Sequence, residues 1–241
     1  MSRKTQKSHS PAEASPAPAA PAPAPDRSRR NLFIAAGATA AIVAGGGVVF
    51  LGRGSDEEDA RMAQRPGLVN PQAPTVGDAA AKVQIVEFLD PACETCAVFY
   101  PIVKQVLAEH PGKIRLSLRH VPLHPGADYV VALLEASRKQ DKYWPTLETL
   151  LKTQDRWVIR HVVQPQGALA VLEGSGLVWD QLALDMASDE VKQRVARDRA
   201  DAALLGVKQT PEYFVNGRQM DSFGRQQLLD LIDRALRRAY P

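Results

Sequence analysis

Val83-Gln84-Ile85-Val86-Glu87-Phe88-Leu89 is a short β-branched and apolar run, the composition of a buried strand. Immediately after it, Val98, Phe99, Ile102, Val103, Val106 and Leu107 recur at helical spacing until Glu109-His110-Pro111-Gly112 stops the pattern. Residues 113–120 then alternate apolar and polar, the period of a second strand. Strand, helix and strand in that order predict a parallel pair joined by a right-handed crossover. For about 80 residues the pattern is helical. Helices are expected around Tyr129–Ala136, Trp144–Leu151, Trp157–Val163, Ala168–Leu172, Trp179–Met186 and Val191–Leu205. The sheet resumes at Tyr213-Phe214-Val215, turns at Asn216-Gly217 in a type I′ hairpin, and returns through Gln219 and Met220. A closing amphipathic helix follows Gly224, with Leu228, Leu229, Ile232, Ala235 and Leu236 on one stripe.

The region upstream is built differently. Residues 1–30 are Pro, Ala and Ser with six basic and two acidic side chains, a composition that predicts a disordered basic tail. That tail accounts for the net charge of +3, so the remainder is close to neutral and gives no footprint for nucleic acid. From Leu32 to Leu51 about twenty residues carry no formal charge, enough to cross a bilayer as a helix. Arg27, Arg29 and Arg30 on its N-terminal side put that side in the cytoplasm. The expectation is a transmembrane signal anchor over residues 31–52. A cleaved signal, including one of the twin-arginine kind at Arg29-Arg30, and a buried core helix are the alternatives. Residues 53–75 read as a linker to a folded domain spanning 76–241, with its helical insertion over about 124–206. The localisation implied is a bacterial cytoplasmic membrane crossed once, with the domain outside. Signal cleavage would instead leave an exported soluble protein.

The candidate chemistry lies where the first strand becomes a helix. Cys93 and Cys96 are the only two cysteines, and chance would space a pair this way on the order of once in a hundred chains. At a helix N-terminus a thiol meets unpaired N–H groups and the positive end of the helix dipole, which favour thiolate. Cys93 is the expected nucleophile and Cys96 the resolving thiol. A static disulfide and half of a zinc site are the competing readings of the pair. His110, His120, His124 and His161 show no ligand-type spacing among themselves, so no metal and no cofactor beyond a redox-active Cys93–Cys96 disulfide is expected. Glu94 is an anion beside the nucleophile, or simply a residue that suits a helix start. Glu87, in an otherwise apolar strand, would have a raised pKa and could take the proton of Cys96; an edge-facing residue is the alternative. Trp144, Trp157 and Trp179 read as helix core rather than as a substrate platform.

Taken together, Cys93-Glu94-Thr95-Cys96 at the end of a strand, Glu87 six residues before it, Pro101 five after it, and Thr210-Pro211 before a strand followed by Val-Asn-Gly resemble the DsbA-like class of the thioredoxin fold, in particular its membrane-anchored bacterial members. The resemblance covers about residues 76–241. It implies an α/β thioredoxin-like fold with a helical insertion, and a thiol–disulfide oxidoreductase that forms, reduces or isomerises disulfides. Thr210 and a cis Pro211 would receive an extended substrate segment. Implied partners are cysteine-containing extracytoplasmic proteins, a membrane redox partner, and the lipid bilayer through residues 32–51. The departure is Glu-Thr between the cysteines, where strong oxidants carry Pro-His and thioredoxin Gly-Pro. It leads us to expect a Cys93 less acidic than in a Pro-His motif and a less oxidising disulfide. The competing class is a non-enzymatic binder or metal chaperone that uses the reduced cysteines.

Overall fold

The computed structural model describes residues 65–241. The basic tail, the expected membrane span over 31–52 and most of the linker lie outside these residues. Among the described residues, no helix is long and apolar enough to cross a membrane.

Strands β1 (Thr75–Gly77), β2 (Val83–Leu89) and β3 (Ile114–His120) come first, with helix α1 (Glu94–Glu109) between β2 and β3. Next are α2 (Ala127–Ser137), α3 (Tyr143–Lys152), a small hairpin of β4 (Val158–Ile159) and β5 (Val162–Val163), and helix α4 (Pro165–Ala170). Helices α5 (Trp179–Met186) and α6 (Asp189–Leu205) complete the insertion, and β6 (Glu212–Val215), β7 (Arg218–Gln219) and α7 (Arg225–Ala239) close the chain. The main sheet runs β1-β3-β2-β6-β7. Only β2 and β3 are parallel; the other neighbours are antiparallel.

Central position explains the composition of β2, because a strand covered on both faces needs apolar side chains at successive positions. Val83, Ile85 and Leu89 point into the larger core beneath α1, α7 and the insertion. Val86 and Phe88 point the other way, into a smaller core with Phe214, Leu205 and Ala202. Alternation along a strand puts Glu87 on the same face as Ile85 and Leu89, under α1. Helix α1 buries Cys96, Phe99, Tyr100, Val103 and Val106, a stripe at three- and four-residue intervals that lays the helix along the sheet.

Two expectations are corrected. Trp157–Val163 is not helical: Trp157 is a fully buried side chain, and residues 158–163 form the β4–β5 hairpin. Its β-branched Val158, Ile159, Val162 and Val163 suit strands better than a helix. The domain also begins earlier than residue 76. Leu68 is buried in the smaller core, and Arg119 donates to the carbonyls of Gly67 (3.0 Å) and Leu68 (3.5 Å). Residues 65–75 are therefore part of the packing, because the second face of the sheet needs a cover that α6 only partly supplies. Asn216 and Gly217 both have positive φ, as the expected type I′ turn requires.

Candidate functional site

The β2–α1 junction is built by Asp90. Its buried carboxylate accepts the N–H of Ala92 at 2.8 Å through Oδ1, and those of Leu123 at 2.7 Å and His124 at 2.9 Å through Oδ2. The loop after β3 is thereby tied to the turn that carries Cys93. From the insertion, Gln154 donates through Nε2 to the carbonyls of Pro91 (2.8 Å) and Cys93 (3.1 Å), fixing the same turn from the other side. Neither residue stands out in the sequence, since each acts through backbone groups far along the chain.

Cys93 occupies the N-cap of α1, beside the free N–H groups of the first turn. Both cysteines are free thiols, and they differ sharply. The Cys93 thiol is held down to about 5, chiefly by a hydrogen bond from the Cys96 thiol; burial opposes this, and Thr210 and the N–H groups of Cys96 and Thr95 add to it. Cys96 is fully buried, and burial pushes its thiol well up, reinforced by the charges of Cys93 and Glu87. One thiol is thus ionised at neutral pH and the other is not. An acidic thiol and a protonated one sit side by side.

Thr210 and Pro211 lie across from the pair, and the Thr210–Pro211 peptide bond is cis. The Cys93 thiol is 3.2 Å from the Thr210 carbonyl oxygen. Glu87 is fully buried behind the motif and held by Tyr213, whose hydroxyl donates to Oε1 at 3.0 Å. Its other oxygen, Oε2, is buried without a protein hydrogen-bond partner. Burial pushes this carboxyl up to about 8; the Tyr213 hydrogen bond pulls the other way and the Cys93 charge adds to the rise. The edge-facing alternative for Glu87 does not hold.

Glu94 does not lean on Cys93. It reaches outward to His161, with Oε1 3.1 Å from Nδ1. His161 stacks near His124, the ring centres 6.2 Å apart, and His124 Nδ1 lies 2.8 Å from Asp90 Oδ2. Ligand atoms of Glu94, His124 and His161 all fall within 4.8 Å of one another. The fold brings together two histidines whose separation in the chain showed no pattern. Burial lowers the His124 imidazole, but Asp90 more than offsets this, helped by the charges of Cys93 and Glu94, and the net shift is upward.

Of the tryptophans, Trp157 is core, donating from Nε1 to the Leu150 carbonyl at 2.9 Å. Trp179 is exposed on α5.

The thioredoxin family model matches residues 69–234, most of the chain. The chain belongs to the thioredoxin family. It is 30% identical to a thioredoxin-like oxidoreductase from Silicibacter pomeroyi, a TM-score of 0.63 covering 72% of this chain and 98% of that one. The fold is also that of α-DsbA1 from Wolbachia pipientis, with 20% identity, a TM-score of 0.59, and 71% of this chain and 94% of that chain covered. Among curated relatives, a probable disulfide bond formation protein D of Bacillus cereus is 28% identical over 59% of this chain and 69% of its own. A Na(+)/H(+) antiporter NhaA of Herminiimonas arsenicoxydans is 29% identical over 58% of this chain. The match spans about a fifth of that antiporter's length, 22%. DsbA-like thiol–disulfide oxidoreductases are therefore the neighbours of this fold.

Proposed function

We infer that this domain is a thiol–disulfide oxidoreductase in which Cys93 forms the mixed disulfide and Cys96 resolves it. The observation that carries this reading is the asymmetry of the pair: an acidic Cys93 at a helix N-terminus beside a buried, protonated Cys96. Cys93 thiolate attacks one sulfur of a substrate disulfide; that S–S bond breaks and the other substrate sulfur leaves as thiolate. Cys96 then gives up its proton, attacks the Cys93 sulfur and expels the second substrate thiolate, leaving a Cys93–Cys96 disulfide. The substrate is reduced by two electrons and the protein oxidised; run backwards, the same steps donate a disulfide.

Glu87 supports both directions. When Cys93 is bonded to substrate its negative charge is gone, one of the influences holding the Glu87 proton is removed, and the carboxylate can accept the proton of Cys96. In the donating direction the protonated carboxyl returns that proton as Cys96 leaves. Thr210 and Pro211 stand where an extended segment carrying the substrate sulfur would lie against Cys93. Substrates on this reading are cysteine-containing extracytoplasmic proteins, with a membrane redox partner restoring the pair. The charge-free stretch 32–51, flanked by arginines, supports a bilayer anchor with the domain outside.

The test uses the full-length reduced protein and a disulfide-bonded model peptide. Cys93→Ser should abolish reaction, whereas Cys96→Ser should accumulate a peptide adduct on Cys93 detectable by mass. A wild-type protein that leaves the peptide disulfide untouched, with no adduct in Cys96→Ser, would exclude the reading.

A further inference from the structure

We propose that Glu94, His124 and His161 form a binding site for a divalent transition-metal ion of the zinc type at the mouth of the dithiol. Three elements converge there: the first residue of α1, the loop after β3, and the turn of the β4–β5 hairpin. Two imidazoles and one carboxylate make a borderline donor set that leaves a coordination position open, suited to zinc and its neighbours. Their ligand atoms lie within 4.8 Å of one another. Zinc needs bonds of about 2.0–2.2 Å to such atoms, and His161 Nδ1 and Glu94 Oε1, 3.1 Å apart, already lie close to the spacing of two ligands on one ion.

Two observations set the cluster apart from a surface ion pair. His124 is positioned by a fully buried carboxylate: Asp90 Oδ2 lies 2.8 Å from Nδ1. That contact leaves Nε2 to face a ligand, the arrangement in which carboxylates orient metal-binding histidines. The second is the turn itself. Arg160 and His161 have φ of 51° and 63°, two consecutive non-glycine residues in the left-handed region of a two-residue hairpin turn. Asn-Gly or Gly-Gly would fill such a turn without strain. An exposed pair like His161–Glu94, with side chains 72% and 57% accessible, contributes little by itself and gives no reason to keep a strained histidine there. A metal ligand does.

Because Glu94 adjoins Cys93, an ion held here shares the approach of any substrate to the nucleophile. Zinc should therefore slow exchange at Cys93; this consequence, unlike the site, rests on the exchange function inferred above.

The binding test uses full-length protein carrying Cys93→Ser and Cys96→Ser, so that thiols cannot ligate, titrated calorimetrically with zinc alone in a non-chelating buffer. We expect one zinc per chain, with affinity lowered at least about tenfold by His124→Ala and by His161→Gly. His161→Gly suits the positive φ, so it should melt no lower than its parent, which separates loss of the ligand from loss of fold. Absence of saturable uptake, or uptake indifferent to His161→Gly, would overturn the site. In cysteine-containing protein, zinc should slow reaction with the model peptide, and His161→Gly should relieve that slowing. Binding without slowing would overturn the regulatory consequence alone. A protein that binds zinc yet shows no zinc-free exchange would refute the exchange function and uphold the site.

Discussion

The Cys93 sulfur lies 3.2 Å from the carbonyl oxygen of Thr210, a residue 117 positions further along the chain. A carbonyl can accept from a thiol but repels a thiolate, whereas the Thr210 side chain favours the ionised sulfur. The two groups of one residue thus pull in opposite directions, and ionisation of Cys93 leaves the carbonyl free to accept from a backbone N–H of an incoming segment. Thr210→Val keeps the shape and removes the hydroxyl. We expect the thiolate absorbance of the reduced protein near 240 nm to titrate with a midpoint near pH 5 in wild type and at higher pH in Thr210→Val. Cys93→Ser should show no such transition below about pH 9.

The acidity of Cys93 has a redox consequence. Ionising the reduced form stabilises it relative to the disulfide, which makes the disulfide more oxidising. A thiol at about 5 lies between the ~3.5 of the strong oxidant and the ~7 of thioredoxin. Equilibration of full-length protein with glutathione buffers, in the presence of a chelator, should give a potential between about −120 and −270 mV. A value below thioredoxin's would contradict the thiolate geometry.

Glu87 links the site to stability. Its folded-state pKa, about 8, is above its unfolded value of 4.5, so its contribution is fully present below 4.5 and is lost as pH rises toward 8. Glu87→Gln retains an acceptor for Tyr213 and never ionises. Reduced wild type and Glu87→Gln should be similarly stable near pH 4, and the variant should gain by up to about 1.4 kcal/mol per pH unit between 4.5 and about 8. Denaturant melts across that range would show it. The same variant should slow resolution of the mixed disulfide by about 10²-fold, since proton transfer by a positioned side chain contributes about 10²–10⁴.

Arg119 is fully buried, and it bonds Asp198 through Nε and Asp201 through Nη2, both at 2.5 Å. Asp198 also accepts the His120 N–H at 2.9 Å and the Asn70 side-chain amide at 3.2 Å. Removing the guanidinium leaves Asp198 buried and uncompensated. Arg119→Ala should therefore cost about 3–5 kcal/mol in a denaturant melt.

These residues show what a linear reading can reach. Strand β2, α1, the type I′ turn at Asn216-Gly217 and the cysteine pair were legible because each is a local pattern: periodicity, turn chemistry or spacing. Glu87 was legible because a carboxylate in an apolar strand is conspicuous. Residues 65–75 give no such signal, because the buried Leu68 and Ala73 follow no period and β1 is only three residues long. The β4–β5 hairpin carries no local signal, because Arg160-His161 has none of the usual turn residues. Asp90, Gln154 and the His124–His161 pair leave no mark in the sequence for a common reason: their positions arise from contacts between distant segments, which have no characteristic spacing.

The ties of Arg119 to Gly67 and Leu68 bear on how this domain withstands a pull. If the chain before residue 65 is held by a membrane, tension enters at the sheet edge, where the guanidinium and the β1–β3 ladder take the load first. The reactive turn, braced separately by Asp90 and Gln154, keeps its shape until those outer fastenings give way. Tugging at the tether would then unzip the rim of the protein well before it disturbs the chemistry.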